Sequence, residues 1–106
     1  MKDSFIAAIK AKKKVLLTFY SQEDKGNLVR TCAPMDYGPK RKAQDQSDRF
    51  HVWDYDSDKK MHTLGLLPKQ VIKIEVLDKA FDPAEFITWD VKTSPWHVPR
   101  DWGQYS

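Results

Sequence analysis

Residues 49–56 constrain the fold of this chain more than any other segment, because both faces of the strand that they predict carry apolar or aromatic side chains. With a period of two, Phe50 and Val52 lie on one face. The other face carries His51, Trp53 and Tyr55. Strands that cover a core on one side usually expose polar residues on the other. The second face must therefore be covered by another part of the chain, or it is a surface for a flat or aromatic partner.

Chain length and cysteine usage limit the class of protein. The 106 residues, 41% of them hydrophobic, are enough for one domain with a real core. No apolar run approaches the roughly 18 residues of a membrane span, and the first residues lack the pattern of a signal peptide. The single cysteine, Cys32, excludes an internal disulfide and fits a reducing compartment. We therefore expect a cytoplasmic protein.

Positive charge is concentrated in the first half of the chain. The net charge is +3, yet residues 1–50 hold 11 Lys and Arg against 6 Asp and Glu, whereas residues 51–106 hold 7 against 9. Basic clusters occur within residues 10–14 and 40–42. Such clusters attract phosphate groups, but they are equally typical of a solvated helix end and a solvated loop. Both interpretations stay open.

Hydrophobic periodicity predicts one helix followed by five short strands. The helix covers residues 4–13, and single helical turns follow at residues 67–70 and at 82–86. The predicted strands cover residues 15–20, 28–33, 49–56, 61–66 and 71–77. Five short antiparallel strands in a small domain favour an all-β, closed or nearly closed barrel with one N-terminal helix.

Turn positions predict how these strands pair and which side chains they bury. A turn over residues 21–27 places Phe19 opposite Val29, with Val29 in the core. A tight second hairpin places Val52 opposite Leu64. By the same geometry Phe50 faces Leu66, His51 faces Gly65 and Trp53 faces Thr63. In the last strand we expect the inward side chains to be Ile72, Ile74 and Val76.

Residues 87–106 form an aromatic C-terminal tail to the predicted domain of residues 1–86. The tail contains Trp89, Trp96 and Trp102 but little regular patterning. Three indoles are too much apolar surface to leave in water. The tail either folds back over the aromatic face of residues 49–56, which we favour, or docks onto a partner or a second copy of the chain.

Several short motifs resemble the WYL domain, which is found mostly in bacterial transcriptional regulators. These are a leading helix with basic residues at its end, the segment Leu17-Thr18-Phe19-Tyr20, and Cys32-Ala33-Pro34. Phe50-His51-Val52 stands at the place of the family's Trp-Tyr-Leu triplet, and residues 71–78 and 81–82 complete the pattern. The resemblance covers residues 4–86.

Membership of this family would imply an Sm-like, SH3-like barrel that senses nucleotides or nucleic acid and modulates an attached DNA-binding domain. The chain departs from the family at two points. The triplet is Phe-His-Val, and Leu64-Gly65-Leu66 stands where the family has Phe-Arg-Leu, so the arginine thought to contact an anionic ligand is missing. No helix-turn-helix precedes the barrel, so the chain resembles a stand-alone, divergent WYL domain.

No pattern in the sequence indicates catalysis, a metal site or a cofactor. There is no nucleophile elbow, Walker motif or dinucleotide fingerprint, and no cysteines have zinc-like spacing. His62 is expected near Asp54, where a hydrogen bond at the strand end is a simpler role than acid–base catalysis. We therefore predict that the protein is not an enzyme.

Binding of nucleic acid or a nucleotide-type ligand is the leading functional hypothesis, with a regulatory role. Single-stranded nucleic acid is held by aromatic side chains that stack on bases, beside cations that contact phosphates. The predicted stacking residues are His51, Trp53 and Tyr55. The predicted phosphate contacts are Arg30, Lys40, Arg41, Lys42 and Arg49. The alternative is a protein-interaction or assembly module that uses the aromatic tail and an open strand edge.

Overall fold

The computed structural model describes residues 1–57 and 63–106 as one α-helix, five β-strands and three short 3-10 helices. Helix α1 spans Lys2–Ala11. The strands are β1 (Lys13–Ser21), β2 (Gly26–Pro39), β3 (Asp48–Asp54), β4 (Thr63–Leu66) and β5 (Val71–Ala80). The 3-10 helices are Pro68–Gln70, Pro83–Glu85 and Gly103–Tyr105.

The five strands form one antiparallel sheet in the order β4-β3-β2-β1-β5. The predicted mostly-β fold with one N-terminal helix and five antiparallel strands is therefore confirmed. Within the described residues β4 and β5 do not pair with each other, so the sheet is not closed and the predicted barrel is only approximated. Both ends of the sheet are consequently open edges.

Helix α1 covers one face of the sheet. It lies two residues earlier than predicted and ends at Lys12, whose φ of 56° is left-handed and whose amide donates to the carbonyls of Ala8 and Ile9. Phe5 and Ile9 are fully buried, and the ring of Phe5 meets that of Phe50 edge-on with 4.9 Å between centroids. Burial of these two helix side chains contributes roughly 3–6 kcal/mol to stability.

The β3–β4 hairpin has the predicted register. Val52 lies opposite Leu64 and Phe50 opposite Leu66, and both strand-β3 side chains are buried. His62 lies outside the described residues. Because side chains alternate along a strand, His51 and Trp53 lie on the face of β3 opposite to that of Phe50 and Val52.

The β1–β2 hairpin differs from the prediction by one residue. Phe19 lies opposite Leu28, since the turn consists of only the four residues between Ser21 and Gly26. A slip of one residue moves every side chain of a strand to the other face. Val29 is accordingly 56% exposed, and its predicted place in the core is wrong.

Strand β5 does not bury the side chains that its pattern predicts. Ile72 is 50% and Val76 is 44% exposed, so the prediction is wrong for both, whereas Ile74 is half-buried. A β-bulge interrupts the pairing of β5 between Thr18 and Phe19 of β1. Ile72 is the extra residue of this bulge, so Val71 takes the buried position opposite Phe19 in its place, and Val76 lies on the edge strand of the sheet.

The C-terminal tail packs against the rest of the chain. Ile87, Val91, Val98 and Trp102 are buried in the same hydrophobic cluster as the sheet and α1. The indole N–H of Trp102 donates to the carbonyl oxygen of Ile9 at 2.9 Å, a second hydrogen bond to a carbonyl that also accepts from the Lys12 amide. The tail therefore packs against both the sheet and α1.

Candidate ligand-binding groove

The aromatic side chains on the second face of β3 are already in contact with other parts of the chain. His51, Trp53 and Tyr55 are each half-buried. The ring of Trp53 stacks on that of Phe86, with centroids 5.6 Å apart and planes 18° from parallel. The ammonium of Lys14 lies 4.4 Å from the ring centroid of Tyr55. One face of each of these two rings is thus occupied within the protein.

Asp36 holds the tail against this second face. It lies opposite His51 in the β2–β3 pairing, and it is buried. Its carboxylate accepts hydrogen bonds from the amides of His97 and Val98, at 2.9 and 3.0 Å, and forms a 3.2 Å ion pair with Arg100. A buried carboxylate needs such partners, and here all three belong to the tail.

The guanidinium of Arg100 lies between two indole rings. Its central carbon is 4.1 Å from the ring centroid of Trp96 and 4.4 Å from that of Trp102. Arg100 also donates to the carbonyl of Met35, and its side chain is only 1% exposed. Burial lowers the pKa of Arg100 to about 10, although the neighbouring Asp36 carboxylate favours the charged form. We call Asp36, Trp96, Arg100 and Trp102 the tail clasp.

A cavity of about 310 Å³ opens where the clasp meets the β2–β3 hairpin. Its basic lining side chains are Lys40, Arg41, His51 and His97, and its aromatic ones are Trp89 and Trp96. Asp36 is the one carboxylate among its described lining residues, and it is paired with Arg100. The cavity therefore combines aromatic rings with the cationic side chains of Lys40 and Arg41, and its volume is at the lower end of the range of small-molecule sites.

A second cavity of about 220 Å³ adjoins the first and shares Lys40 and His51 with it. It adds Arg49, whose terminal nitrogen Nη1 donates to the carbonyl of Gly65 at 3.3 Å. The Nε of Arg49 is enclosed and has no hydrogen-bond partner among the described residues. We call the two cavities together the β2–β3 groove.

The two imidazoles of the groove are fixed by backbone carbonyls. The Nε2 atom of His51 lies 2.8 Å from the carbonyl oxygen of Gly38, and that of His97 lies 3.0 Å from the carbonyl oxygen of Pro39. Since a carbonyl only accepts, both Nε2 atoms carry hydrogen. Gly38 permits this arrangement, because a Cβ there would lie 2.5 Å from the ring of His97.

Four of the eight predicted ligand-binding residues line the groove, and four lie elsewhere. Those in the groove are Lys40, Arg41, Arg49 and His51. Arg41 also donates to the carbonyl of Pro95, which ties the loop after β2 to the tail. Lys42 is exposed and lines neither cavity, and Trp53 and Tyr55 lie against Phe86 and Lys14.

Arg30, the remaining predicted residue, is turned toward the acidic end of β3. Its Nε is 3.8 Å from Oδ2 of the buried Asp54, and its Nη1 donates to the carbonyl of Asp56 at 3.3 Å. The one-residue shift of the β1–β2 register places it there, opposite Leu17. Arg30 therefore balances a buried carboxylate and is not part of the groove.

The tail contributes three ring-bearing side chains to the groove that were not among the predicted ligand contacts, namely Trp89, Trp96 and His97. They lie about fifty residues from the basic loop in sequence, with no spacing that signals a shared site. Their only signal is the density of indoles in an otherwise irregular tail. Tail packing brings them beside His51, a contact that depends on the buried Asp36.

The described residues of the groove supply aromatic, imidazole and cationic side chains. In residues 1–57 and 63–106, no three His, Cys, Asp or Glu side chains are grouped so that they could hold a metal ion. Cys32 is fully buried in β2, and burial raises its thiol pKa well above the ordinary value, so it is a poor nucleophile. Among the described helices none is long and apolar enough to cross a membrane.

Comparison of the chain with protein-family models, with curated proteins and with solved structures finds no match. The resemblance to the WYL domain consequently has no support beyond the motifs that suggest it.

Proposed function

We propose that the protein is a non-enzymatic module that binds nucleic acid or a nucleotide-type ligand in the β2–β3 groove, with the regulatory role that the WYL resemblance implies. The observation that carries this proposal is the grouping of Trp89 with three cationic side chains in one groove. The cations are Lys40, Arg41 and Arg49. Aromatic rings stack on bases of any sequence, and Arg and Lys contact phosphates.

Two electrostatic features support an anionic ligand. The carboxylate that lines the groove, Asp36, is already neutralised by Arg100, so the local charge is positive. Arg49 also lines the groove, and its guanidinium is a suitable donor to a phosphate oxygen. In this proposal the indole of Trp89 replaces Trp53 and Tyr55 as the side chain that stacks on a base.

A fluorescence titration tests the proposal. Short single-stranded oligonucleotides, with a nucleoside monophosphate in parallel, should quench the Trp emission at about 50 mM salt. If Lys40, Arg41 and Arg49 each contact one phosphate, oligonucleotide affinity should fall roughly 20-fold between about 50 and 200 mM salt. Lys40→Ala should weaken binding and reduce this ratio to roughly 7-fold, since one contact is lost.

Lys42→Ala is the matched control, because Lys42 is an exposed neighbour that lines neither cavity. Its affinity and salt dependence should equal those of the unmodified protein. Absence of quenching at low salt for both ligands, or equal effects of the two alanine variants, would contradict binding in this groove.

The alternative role, as a protein-interaction module, receives less support from the tail. Trp102 is buried and hydrogen-bonded to α1, and Trp96 packs on Arg100. These two indoles are therefore engaged within the chain. The open edge of the sheet is the other surface through which the protein could contact a partner in this alternative role.

A further inference from the structure

Strand β5 presents an unusually long free edge. It has ten residues, against about five or six in a typical strand, and its hydrogen-bonded neighbour in the described sheet is β1 alone. The other side of β5 therefore leaves a row of backbone N–H and C=O groups without strand partners. An edge of this kind is a template for another strand.

Apolar side chains stand along this edge. Ile72 and Val76 are 50% and 44% exposed, and the half-buried Ile74 lies between them. Ile74 and Val76 pair with the buried Leu17 and Val15 of β1, so they belong to the face that α1 covers. Lys73 and Glu75 point to the opposite face, where both are well exposed. The edge is thus apolar on one face and charged on the other.

The charge pattern of β5 restricts how two copies of it could pair. A two-fold axis perpendicular to the sheet leaves each face of β5 on the same side in both copies. Residues that pair across the axis must therefore lie on the same face, which requires that one residue pairs with its own counterpart; we name each register by that residue. With the axis at Ile74, Lys73 lies opposite Glu75 of the other copy, twice. The same register places Ile72 opposite Val76, so that the exposed apolar side chains cover each other.

Neighbouring registers are less favourable. An axis at Lys73 or at Glu75 sets that charge against itself, and an axis at Val76 sets Lys73 against Lys79. An axis at Leu77 pairs Glu75 with Lys79 but places Val76 opposite Asp78. Like charges directly opposite each other are destabilising, as is an apolar side chain against a carboxylate. One register therefore satisfies both faces of the strand.

We propose that β5 pairs antiparallel with β5 of a second copy, with Ile74 on the two-fold axis, to form a symmetric dimer with one continuous ten-stranded sheet. Ile72 is the extra residue of the β-bulge between Val71 and Lys73, so the regular ladder of β5 begins at Lys73, and the charged pairs of residues 73–75 define the register. A contact of this size gives weak, concentration-dependent association. The proposal does not depend on ligand binding, since the β2–β3 groove is at the other end of the sheet.

Sedimentation equilibrium on the full chain tests the dimer and its register. The protein should pass from monomer to dimer between about 10 μM and 1 mM, the range expected of a small interface. Lys73→Glu and Glu75→Lys each replace two attractive pairs by two repulsive ones, so each should weaken association roughly 10-fold. The double variant, Lys73→Glu with Glu75→Lys, restores opposite charges across the axis and should recover the original dissociation constant.

Lys79→Glu is the control, because it makes the same charge change on β5 outside the proposed pairs. It should leave the dissociation constant unchanged. Circular dichroism and ligand titration of each variant verify that fold and groove are intact, as expected for the exposed Lys73 and Glu75. A monomer over the whole range, a dimer insensitive to Lys73→Glu, or a double variant that stays as weak as the single ones would overturn the proposal.

Discussion

Tyr55 shows how a single side chain can be half-buried and still electrostatically unusual. Its hydroxyl is enclosed without a hydrogen-bond partner among the described residues. Burial, followed by repulsion from the carboxylates of Glu85 and Asp82, raises the pKa of Tyr55 to about 12 from its ordinary value of 10. The folded protein therefore holds this phenol in its neutral form.

The raised pKa of Tyr55 predicts a loss of stability in alkaline solution. Between pH 10 and about 12 the unfolded chain releases the Tyr55 proton, whereas the folded chain keeps it. The free energy of unfolding therefore falls as pH rises through this window, and below pH 10 this titration does not reduce it. Phenolate absorbance of the native protein minus that of Tyr55→Phe should show a component with its midpoint near pH 12. In denaturant the same difference should titrate near pH 10. A native component near pH 10 would contradict the burial of this hydroxyl.

At the scale of elements, the tail clasp is a buried connection between β2 and the tail. Asp36→Asn removes the charge that faces Arg100 and leaves the guanidinium buried without a counter-ion. Breaking a buried pair in this way should lower the free energy of unfolding by about 3 kcal/mol. Urea unfolding followed by circular dichroism measures the change.

The control for the clasp is Asp101→Asn, which removes an exposed carboxylate next to Arg100 in sequence. It should change the free energy of unfolding by less than about 0.5 kcal/mol. Equal effects of Asp36→Asn and Asp101→Asn would mean that the buried pair does not hold the tail.

Comparison of the two hairpins shows why one register could be predicted from sequence and the other could not. In β3–β4 the apolar residues alternate clearly, and Gly65 and Thr63 accommodate the aromatic neighbours. In β1–β2 several polar residues could form the turn, and a left-handed Lys25 sets its length at four residues. The single-residue error followed from that turn.

The edge position of β5 could not be read from its own residues. Its alternation of Ile and Val with charged residues is that of a half-buried strand, and only the strand order shows that it lies at the edge of the sheet, where Ile72 and Val76 are exposed. The candidate site was also only partly predictable from the sequence. The basic loop and β3 supplied Lys40, Arg49 and His51, whereas the tail residues required a tertiary contact through Asp36.

At the scale of the whole molecule, Cys32 reports on the integrity of the fold. It is fully buried in β2, the middle strand of the sheet. A thiol reagent can therefore reach it only when the sheet opens, and the raised pKa of the thiol further suppresses the reactive thiolate. Partial opening of the tail should not expose it.

Thiol labelling of the native protein should accordingly be at least roughly a thousandfold slower than that of the unfolded chain. The rate should increase with denaturant in parallel with global unfolding. A variant with Cys32→Ala and Gln22→Cys carries its thiol in the exposed β1–β2 turn and should react rapidly when native. Rapid labelling of Cys32 without denaturant would show that the sheet opens locally around β2.

The hydrogen bond from Trp102 to Ile9 also bears on the order in which the parts of the chain are expected to fold. It joins residues 93 apart in sequence, whereas the β1–β2 hairpin closes over a four-residue turn. Closing so long a loop is entropically costly until the sheet and α1 provide a surface to receive the tail. We therefore expect the local hairpins to form early and the tail to dock late, so that the groove, whose wall includes Trp89 and Trp96, is completed late in folding.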